Sequence, residues 1–266
     1  NNVEYTTAVQ ADGSWSVGVT AAQVSTWPAG TVNIAVSGES SAGNSVSITH
    51  PVTVDLTPAA IAINTIATDD VINAAEKGAD LTLSGTTTNV EPGQTVTVTF
   101  GGKNYTASVA SDGSWTATLP AADLTALPEG SASAQASVSN INGNSASAVH
   151  NYSVDSSAPT IIINTVASDN IVNASEADAG VTVSGSTTAE AGQIVTVTLN
   201  SPTVQTYQAT VQADGSWSIN IPAADLEALT DGSHTLTATV NDKAGNPAST
   251  THNLAVDLTV PVLTIN

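Results

Sequence analysis

The tetrapeptide Asp-Gly-Ser-Trp occurs three times, at Asp12–Trp15, Asp112–Trp115 and Asp214–Trp217, in steps of 100 and 102 residues. A step of that length is a whole domain and not one turn of a solenoid, so the 266-residue chain repeats a self-contained fold. Val-Asp pairs ending at Asp55, Asp155 and Asp257 keep the same spacing. Cutting there gives residues 1–55 as the C-terminal half of a truncated repeat and 56–155 as a complete one. Residues 156–266 then hold a second complete repeat, to about residue 257, and the start of the next linker and strand.

Inside a repeat the apolar residues alternate with period two. Trp217, Ile219 and Ile221 oppose Ser216, Ser218 and Asn220; Leu236, Ala238 and Val240 alternate with Thr235, Thr237 and Thr239. Such segments are strands with one buried face. The last repeat reads as strand A near 160–167, B near 181–187, C near 194–200, D near 205–212, E near 215–221, F near 233–240 and G near 248–256. About seven antiparallel strands per ~100 residues predict an all-β chain of tandem immunoglobulin-like β-sandwich domains, arranged as an extended rod. The sequence has no Cys, so each sandwich must rest on its packed core. On this reading the first 55 residues hold only the D-to-G half of a sandwich.

Trp15, Trp115 and Trp217 fall in register with apolar strand neighbours and are expected in the core, in preference to a sugar-stacking platform. Trp27 stands where Leu127 and Leu229 stand, which also suggests packing. The preceding Asp-Gly is hairpin-turn chemistry, which accounts for Asp12, Asp112 and Asp214. Asp123 and Asp225, in Ala-Ala-Asp-Leu segments between E and F, read as local turn caps.

The charge is lopsided: 23 Asp and Glu against three Lys and Arg give a formal net charge of −20. Phosphate binding depends on Lys and Arg, so a nucleic-acid partner is excluded. No apolar run approaches the roughly 18 residues of a bilayer-spanning helix, and no signal peptide is recognisable, so direct membrane insertion is not expected. In an up-and-down sandwich the A–B loop, the E–F loop and the end of strand G share one pole, facing the F–G loop of the following domain. Asp69, Asp70, Asn73 and Glu76 occupy the A–B loop of the second repeat; Asp169, Asn170, Asn173 and Glu176 match them in the third.

Carboxylates gathered without cations repel one another, and a hard divalent ion would resolve the conflict. Calcium accepts six to eight oxygens in flexible geometry, whereas magnesium insists on an octahedron. Calcium is therefore expected at the junctions, with Asp69, Asp70, Glu76 and Asp155 joined by Asp242 from the following domain. A second set is Asp169, Glu176 and Asp257. The junction at Asp55 lacks an A–B loop and offers Asn140 in place of Asp242, so its site should be weak or incomplete. At an extracellular-type affinity such sites would contribute only ~1.4 kcal/mol each, so they would fix angles between domains more than drive folding.

The run from Val54 to Glu76, the Asp-Gly-Ser-Trp motif and Lys243-Ala244-Gly245-Asn246 resemble the bacterial Ig-like repeats of giant type I-secreted adhesins. Biofilm-associated proteins with similar repeats are a near alternative. The resemblance covers nearly the whole sequence. It implies secretion without a cleaved N-terminal signal, retention at the bacterial cell surface, calcium between tandem domains, and contact with a host glycan or receptor through the parent adhesin. Adjacent Ig-like domains of the same monomeric chain would be its immediate partners. The family's linker Asp, loop acids and adjoining Glu map onto Asp155, Asp69, Asp70 and Glu76, with departures at Asn170 and Asn140.

A calcium-stiffened spacer segment is the leading expectation, and a domain that itself binds a host glycan or protein is the alternative. Tyr5, Tyr105 and Tyr207 are the few further aromatics available for such binding, and their recurrence favours structure. An enzyme is not expected. His50, His150 and His252 each precede the exit Asp by five residues, which points the two side chains to opposite faces of a strand, and no nucleophile joins them.

Overall fold

The computed structural model describes residues 3–200 and 204–265. The first repeat contains α1 (Ala21–Val24) and the strands β1 (Gly30–Glu39) and β2 (Ser45–Val54). The second contains β3 (Ala60–Ile63), β4 (Val71–Ile72), α2 (Ala74–Lys77), β5 (Leu81–Thr88), β6 (Thr95–Phe100), β7 (Lys103–Ser108), β8 (Ser114–Leu119), α3 (Ala121–Leu124), β9 (Gly130–Ser139) and β10 (Ser145–Val154). The third runs β11 (Ile161–Ile163), β12 (Ile171–Asn173), α4 (Ala174–Ala179), β13 (Val181–Thr187), β14 (Ile194–Asn200), β15 (Gln205–Thr210), β16 (Ser216–Ile221), α5 (Ala223–Glu227), β17 (Gly232–Asn241) and β18 (Pro247–Asp257).

Each complete repeat is a sandwich of a three-stranded and a five-stranded sheet, ordered β3-β5-β8 and β4-β10-β9-β6-β7 in the second repeat, and β11-β13-β16 and β12-β18-β17-β14-β15 in the third. In letters these are A-B-E and A′-G-F-C-D. Both sheets send their inward residues into one core. In the second repeat Leu83 (B), Val96 and Val98 (C), Trp115 (E), Ala134 and Ala136 (F) and Tyr152 (G) form a single cluster. The third has its own, around Val183, Val195, Trp217, Leu236 and Leu254. The seven strands read from the pattern of the last repeat are all present.

Strand A is shorter than expected. It ends at Ile163, and the backbone then switches sheets to run as β12, parallel to β18. Ala167, Ser168 and Asn170 carry the switch in the left-handed region (φ 50°, 64° and 66°), matched by Ala67, Thr68 and Asp70 (φ 50°, 70° and 65°). Such a φ is costly for most side chains, and Asp and Asn tolerate it best. The Asp70 side chain also stabilises the turn, since Oδ1 accepts the Ile66 N–H at 2.8 Å; Asn170 Oδ1 does the same for Val166 N–H at 2.8 Å.

Trp115 and Trp217 are buried at 1% and 2% exposure, as their register requires. Each ring lies over a glycine of strand B. A Cβ on Gly185 would come within 2.4 Å of Trp217 and 1.9 Å of the Ile162 carbonyl oxygen, so only glycine fits there. In the first repeat the expectation fails. Trp15 is 47% exposed, and residues 3–20 contain no strand where D and E were expected. Leu127 and Leu229 are buried and Trp27 is half-buried.

Candidate functional site: the junctions between repeats

Helix α2 begins at the exit pole of the second repeat, and its N-terminal N–H groups need partners. Asn73 caps it: Oδ1 accepts from Ala75 N–H and Glu76 N–H (both 3.0 Å), and Glu76 Oε2 accepts from Asn73 N–H at 3.0 Å. The remaining donor, Ala74 N–H, is taken by Asn246 Oδ1 of the third repeat at 2.8 Å. The capping of one domain is thus completed by the next.

Asn246 closes the F–G turn that follows β17 and is 1% exposed. Its amide nitrogen donates to the Asp155 carbonyl oxygen at 2.9 Å and to Asp242 Oδ2 at 2.9 Å. Asp242 Oδ1 accepts the Asn246 backbone N–H at 2.8 Å. Asp242 is itself buried at 7% exposure, and these charge-assisted bonds compensate the lost hydration. Both hydrogens and the oxygen of the Asn246 amide are therefore used, two of the three bonds crossing between repeats. Gly245 lies against the same cap; a Cβ there would stand 3.6 Å from Asn73 Nδ2.

The junction between the first and second repeats is a reduced copy. Asn144 Nδ2 donates to the Asp55 carbonyl oxygen at 3.1 Å, as Asn246 does to Asp155. Asn140, at 4% exposure, stands in for Asp242, and its Oδ1 accepts Asn144 N–H at 2.8 Å. An amide has one acceptor where a carboxylate has two, so the second side-chain bond is lost. A different contact appears: Asn142 Nδ2 donates to Asp55 Oδ2 at 2.7 Å. Thr57 first, and then Asn142, hold the Asp55 carboxyl below the usual range of 3.8.

The linkers are held as well. Glu129, in the loop before β9, accepts Ser156 N–H at 2.9 Å and the Ser156 hydroxyl, and it pairs with Lys77 Nζ at 3.4 Å. Asp231 plays this part after the third repeat, accepting Leu258 N–H at 2.7 Å and the Thr259 hydroxyl at 2.5 Å.

The sequence-expected calcium ligands divide into two places. Glu76 and Asp155 stand at the pole, each with one carboxylate oxygen in a local bond, Asp155 Oδ1 accepting Ser157 N–H at 3.3 Å. Asp69 and Asp70 instead share an open groove with Asn151, Tyr152 and Ser153, beside β10 and back from its end. Asp69 Oδ1 accepts Val71 N–H at 3.0 Å, and Asp70 Oδ1 also meets His150 Nε2 at 2.7 Å. The Ile66 N–H and then His150 lower the Asp70 carboxyl. In the third repeat Asp169 Oδ1 accepts Ile171 N–H at 3.0 Å, Glu176 Oε2 accepts Asn173 N–H at 3.0 Å, and Asp257 Oδ1 accepts Thr259 N–H at 3.2 Å. These oxygens suit a hard cation in kind. As a set they do not converge: among the described residues no three His, Cys, Asp or Glu side chains form a metal-holding group.

Asp123 and Asp225 do not cap. The N-caps of α3 and α5 are Pro120 and Pro222, and the two acids instead accept the hydroxyls of Tyr105 (2.8 Å) and Tyr207 (2.6 Å) from strand D. Burial first, and then the carboxylate, push the Tyr105 hydroxyl up to about 12 and raise that of Tyr207.

Sequence reasoning missed Asn144, Glu129 and Asp231, and it placed Asn73 and Asn246 in the facing loops without their capping and bridging roles. A signal for Asn144 and Asn246 was present, since every F–G turn ends in Gly-Asn, at Asn44, Asn144 and Asn246.

A split-A sandwich repeated in tandem and joined by turn-to-cap contacts is the architecture of an immunoglobulin-like repeat array. The bacterial Ig-like domain family matches residues 157–258. Among solved structures, the protein is similar to an adhesin of an Antarctic bacterium, described as Ca2+-stabilised and as helping the bacterium reach out and bind ice. It shares 33% identity over 97% of this chain and 63% of that one, with a TM-score of 0.51. It is also similar to a 1.5-MDa bacterial ice-binding adhesin described in terms of host cell surface retention, with 31% identity over 97% of this chain and 84% of that one and a TM-score of 0.50. The chain belongs to the Ig-like repeats of large bacterial adhesins. It spans less than two thirds of the first of these relatives. No curated protein sequence matches it. Among the described residues no helix is long and apolar enough to cross a membrane.

Proposed function

We propose that the segment is a stiffened spacer in a secreted adhesin retained at the bacterial cell surface, its two sandwiches, 56–155 and 156–257, serving as units of a rod. The observation that carries this reading is the Asn246 amide, which ties the exit carbonyl of Asp155 and the helix N-terminus at Ala74 to the turn of the next repeat. Bonds in two directions resist bending better than a linker alone. Glu129 and Asp231 add to this by holding the first linker residues against their own domains.

Calcium belongs to the same proposal. The oxygen donors near the poles, the net charge of −20 and the description of one relative as Ca2+-stabilised support it. The ligand sets proposed remain Asp69, Asp70, Glu76, Asp155 and Asp242; Asp169, Glu176 and Asp257; and, weakly, Asp55. The ion would supply positive charge between carboxylates that have almost no Lys or Arg to offset them. In this reading the parent adhesin, exported by a type I route and resembling most the giant non-fimbrial adhesin of Salmonella, meets a host glycan or receptor while this segment sets the reach. Burial of Trp115 and Trp217 supports spacing over glycan binding, since neither ring offers a stacking face.

Small-angle scattering of the protein with calcium and with chelator tests the stiffening, with calorimetry counting the ions. The expected result is a loss of interdomain order on chelation and the loss of one site in Asp155→Ala. Identical profiles and no binding heat would sink the calcium proposal. Asn246→Ala tests the direct tether separately and should loosen the second junction in either buffer.

A further inference from the structure

The F–G turns of the three repeats read Ser40-Ser41-Ala42-Gly43-Asn44, Asn140-Ile141-Asn142-Gly143-Asn144 and Asp242-Lys243-Ala244-Gly245-Asn246. Only the middle one contains Asn-Gly, and Asn142-Gly143 is the single such dipeptide in the sequence. Both residues are exposed, and Gly143 has φ 88°. An asparagine followed by glycine is the least hindered setting for attack of the next backbone nitrogen on the side-chain amide. Here the amide concerned is also the one that binds Asp55 across the first junction, Nδ2 to Oδ2 at 2.7 Å.

We propose that Asn142-Gly143 is a self-reacting deamidation site whose product breaks the side-chain bond of the first junction. The Gly143 nitrogen attacks Asn142 Cγ, a new C–N bond forms, the Cγ–Nδ2 bond breaks, and ammonia leaves carrying the former Gly143 N–H proton. Water then opens either C–N bond of the succinimide, giving aspartate or isoaspartate. No oxidant, metal or enzyme is needed. The product sets a carboxylate against the Asp55 carboxylate where an N–H donor had been, and like charges at that range repel.

Two features of the fold hold the reaction back. The Gly143 N–H donates to the Asn140 carbonyl oxygen at 3.0 Å, so the attacking nitrogen is engaged, and Asp55 holds the leaving amide. Reaction therefore proceeds from moments when the junction is open, and the site records how long it has been so. The second junction has Ala244 in the corresponding place and is immune.

Incubating the 266-residue protein at mildly alkaline pH and 37 °C, with peptide mapping by mass spectrometry, should find the mass gain of about one dalton and isoaspartate concentrated at residue 142, ahead of every other asparagine. Asp55→Ala should accelerate that gain several-fold, and Asn142→Gln should abolish it. In Asn142→Asp, hydrogen exchange should quicken in the peptides around 52–57 and 140–145 while those around 242–246 stay unchanged. Absence of modification at 142 in both the wild-type protein and Asp55→Ala, over many times the interval that converts a free peptide of the same turn, would overturn the proposal. Equal exchange in Asn142→Asp and the wild-type protein would overturn its consequence for the junction.

Discussion

The first repeat and the third carry the same Asp-Gly-Ser-Trp motif, and the two halves of that motif fare differently. The turn is the same in both. Asp12 Oδ1 accepts Ser14 N–H at 3.0 Å, as Asp214 Oδ1 accepts Ser216 N–H at 3.0 Å, and Gln10 or Gln212 closes the loop through its backbone. The strand is not. Trp217 pairs with Gly185 of strand B and is buried, whereas among the described residues the Trp15 segment pairs with no strand and Trp15 is 47% exposed. The β1–β2 hairpin persists because F and G pair with each other, register Gly30 to Val54 through Glu39 to Ser45. In the complete repeats strand E pairs with B and D with C, and among the described residues of the first repeat neither E nor D forms. Turn chemistry is local and survives alone; a strand is a property of its neighbour.

That contrast can be broken most strongly at the tryptophans. Trp217→Ala should destabilise the third repeat by about 3–5 kcal/mol, whereas Trp15→Ala should change stability by a few tenths at most. Denaturant melts would reveal the error if the two costs were alike. Gly185→Ala attacks the same contact from strand B and should cost about 3 kcal/mol, because backbone at the Ile162 carbonyl must move as well as the ring. Thermal unfolding reads this directly.

The two junctions sharpen the comparison at a lower level. Asn246→Ala removes three bonds and leaves Ala74 N–H and Asp242 Oδ2 short of a partner, an expected loss of about 2 kcal/mol. Asn144→Ala removes one side-chain bond and should cost about 1 kcal/mol. Amide exchange at Ala74 and in β2 and the Asp55 linker that follows it would rank them; a larger effect at Asn144 would reverse the order of junction strength.

Much of the sandwich was legible in the sequence because period-two alternation reports a buried face wherever strands B, C, E, F and G pass over the core. The split of strand A was not. It depends on three left-handed residues and on Asp70 and Asn170 reaching back four residues, neither of which alters the apolar pattern. At the junctions the F–G turn was correctly brought to the exit pole of the preceding repeat, but attention to charge selected Asp242 and passed over Asn246. An amide can donate and accept at once, so it can bridge a carbonyl and an N–H, which no carboxylate can do. Asp242 instead stays within its own turn and holds that amide in place.

The smallest effect concerns the shared turn itself. In each copy the side chain and then the backbone of the following Ser lower the Asp12, Asp112 and Asp214 carboxyls from 3.8. A depressed folded value contributes stability that is present above the unfolded value and disappears as pH falls through the folded one. Because the causes are the same, an NMR titration should find all three aspartates below 3.8 and nearly superimposable, even though only two sit in complete sandwiches. A normal value at Asp12 alone would mean that the turn needs its strands after all.

The parallel pairing of A′ with G has a mechanical meaning. Tension along a tandem array enters each repeat near its first strand and leaves through its last, and these are the two strands joined by Ser153 N to Asp70 O at 2.8 Å and Asp155 N to Ile72 O at 3.0 Å. Pulled in opposite directions, strands that run side by side are sheared, so their hydrogen bonds bear the load together, whereas a hairpin peels one bond at a time. Resistance to force is a matter of unfolding rate more than of equilibrium stability. In the two complete repeats the same switch of sheets that shortened strand A therefore sets these bonds in a shear arrangement, which pulling along the chain would load all at once.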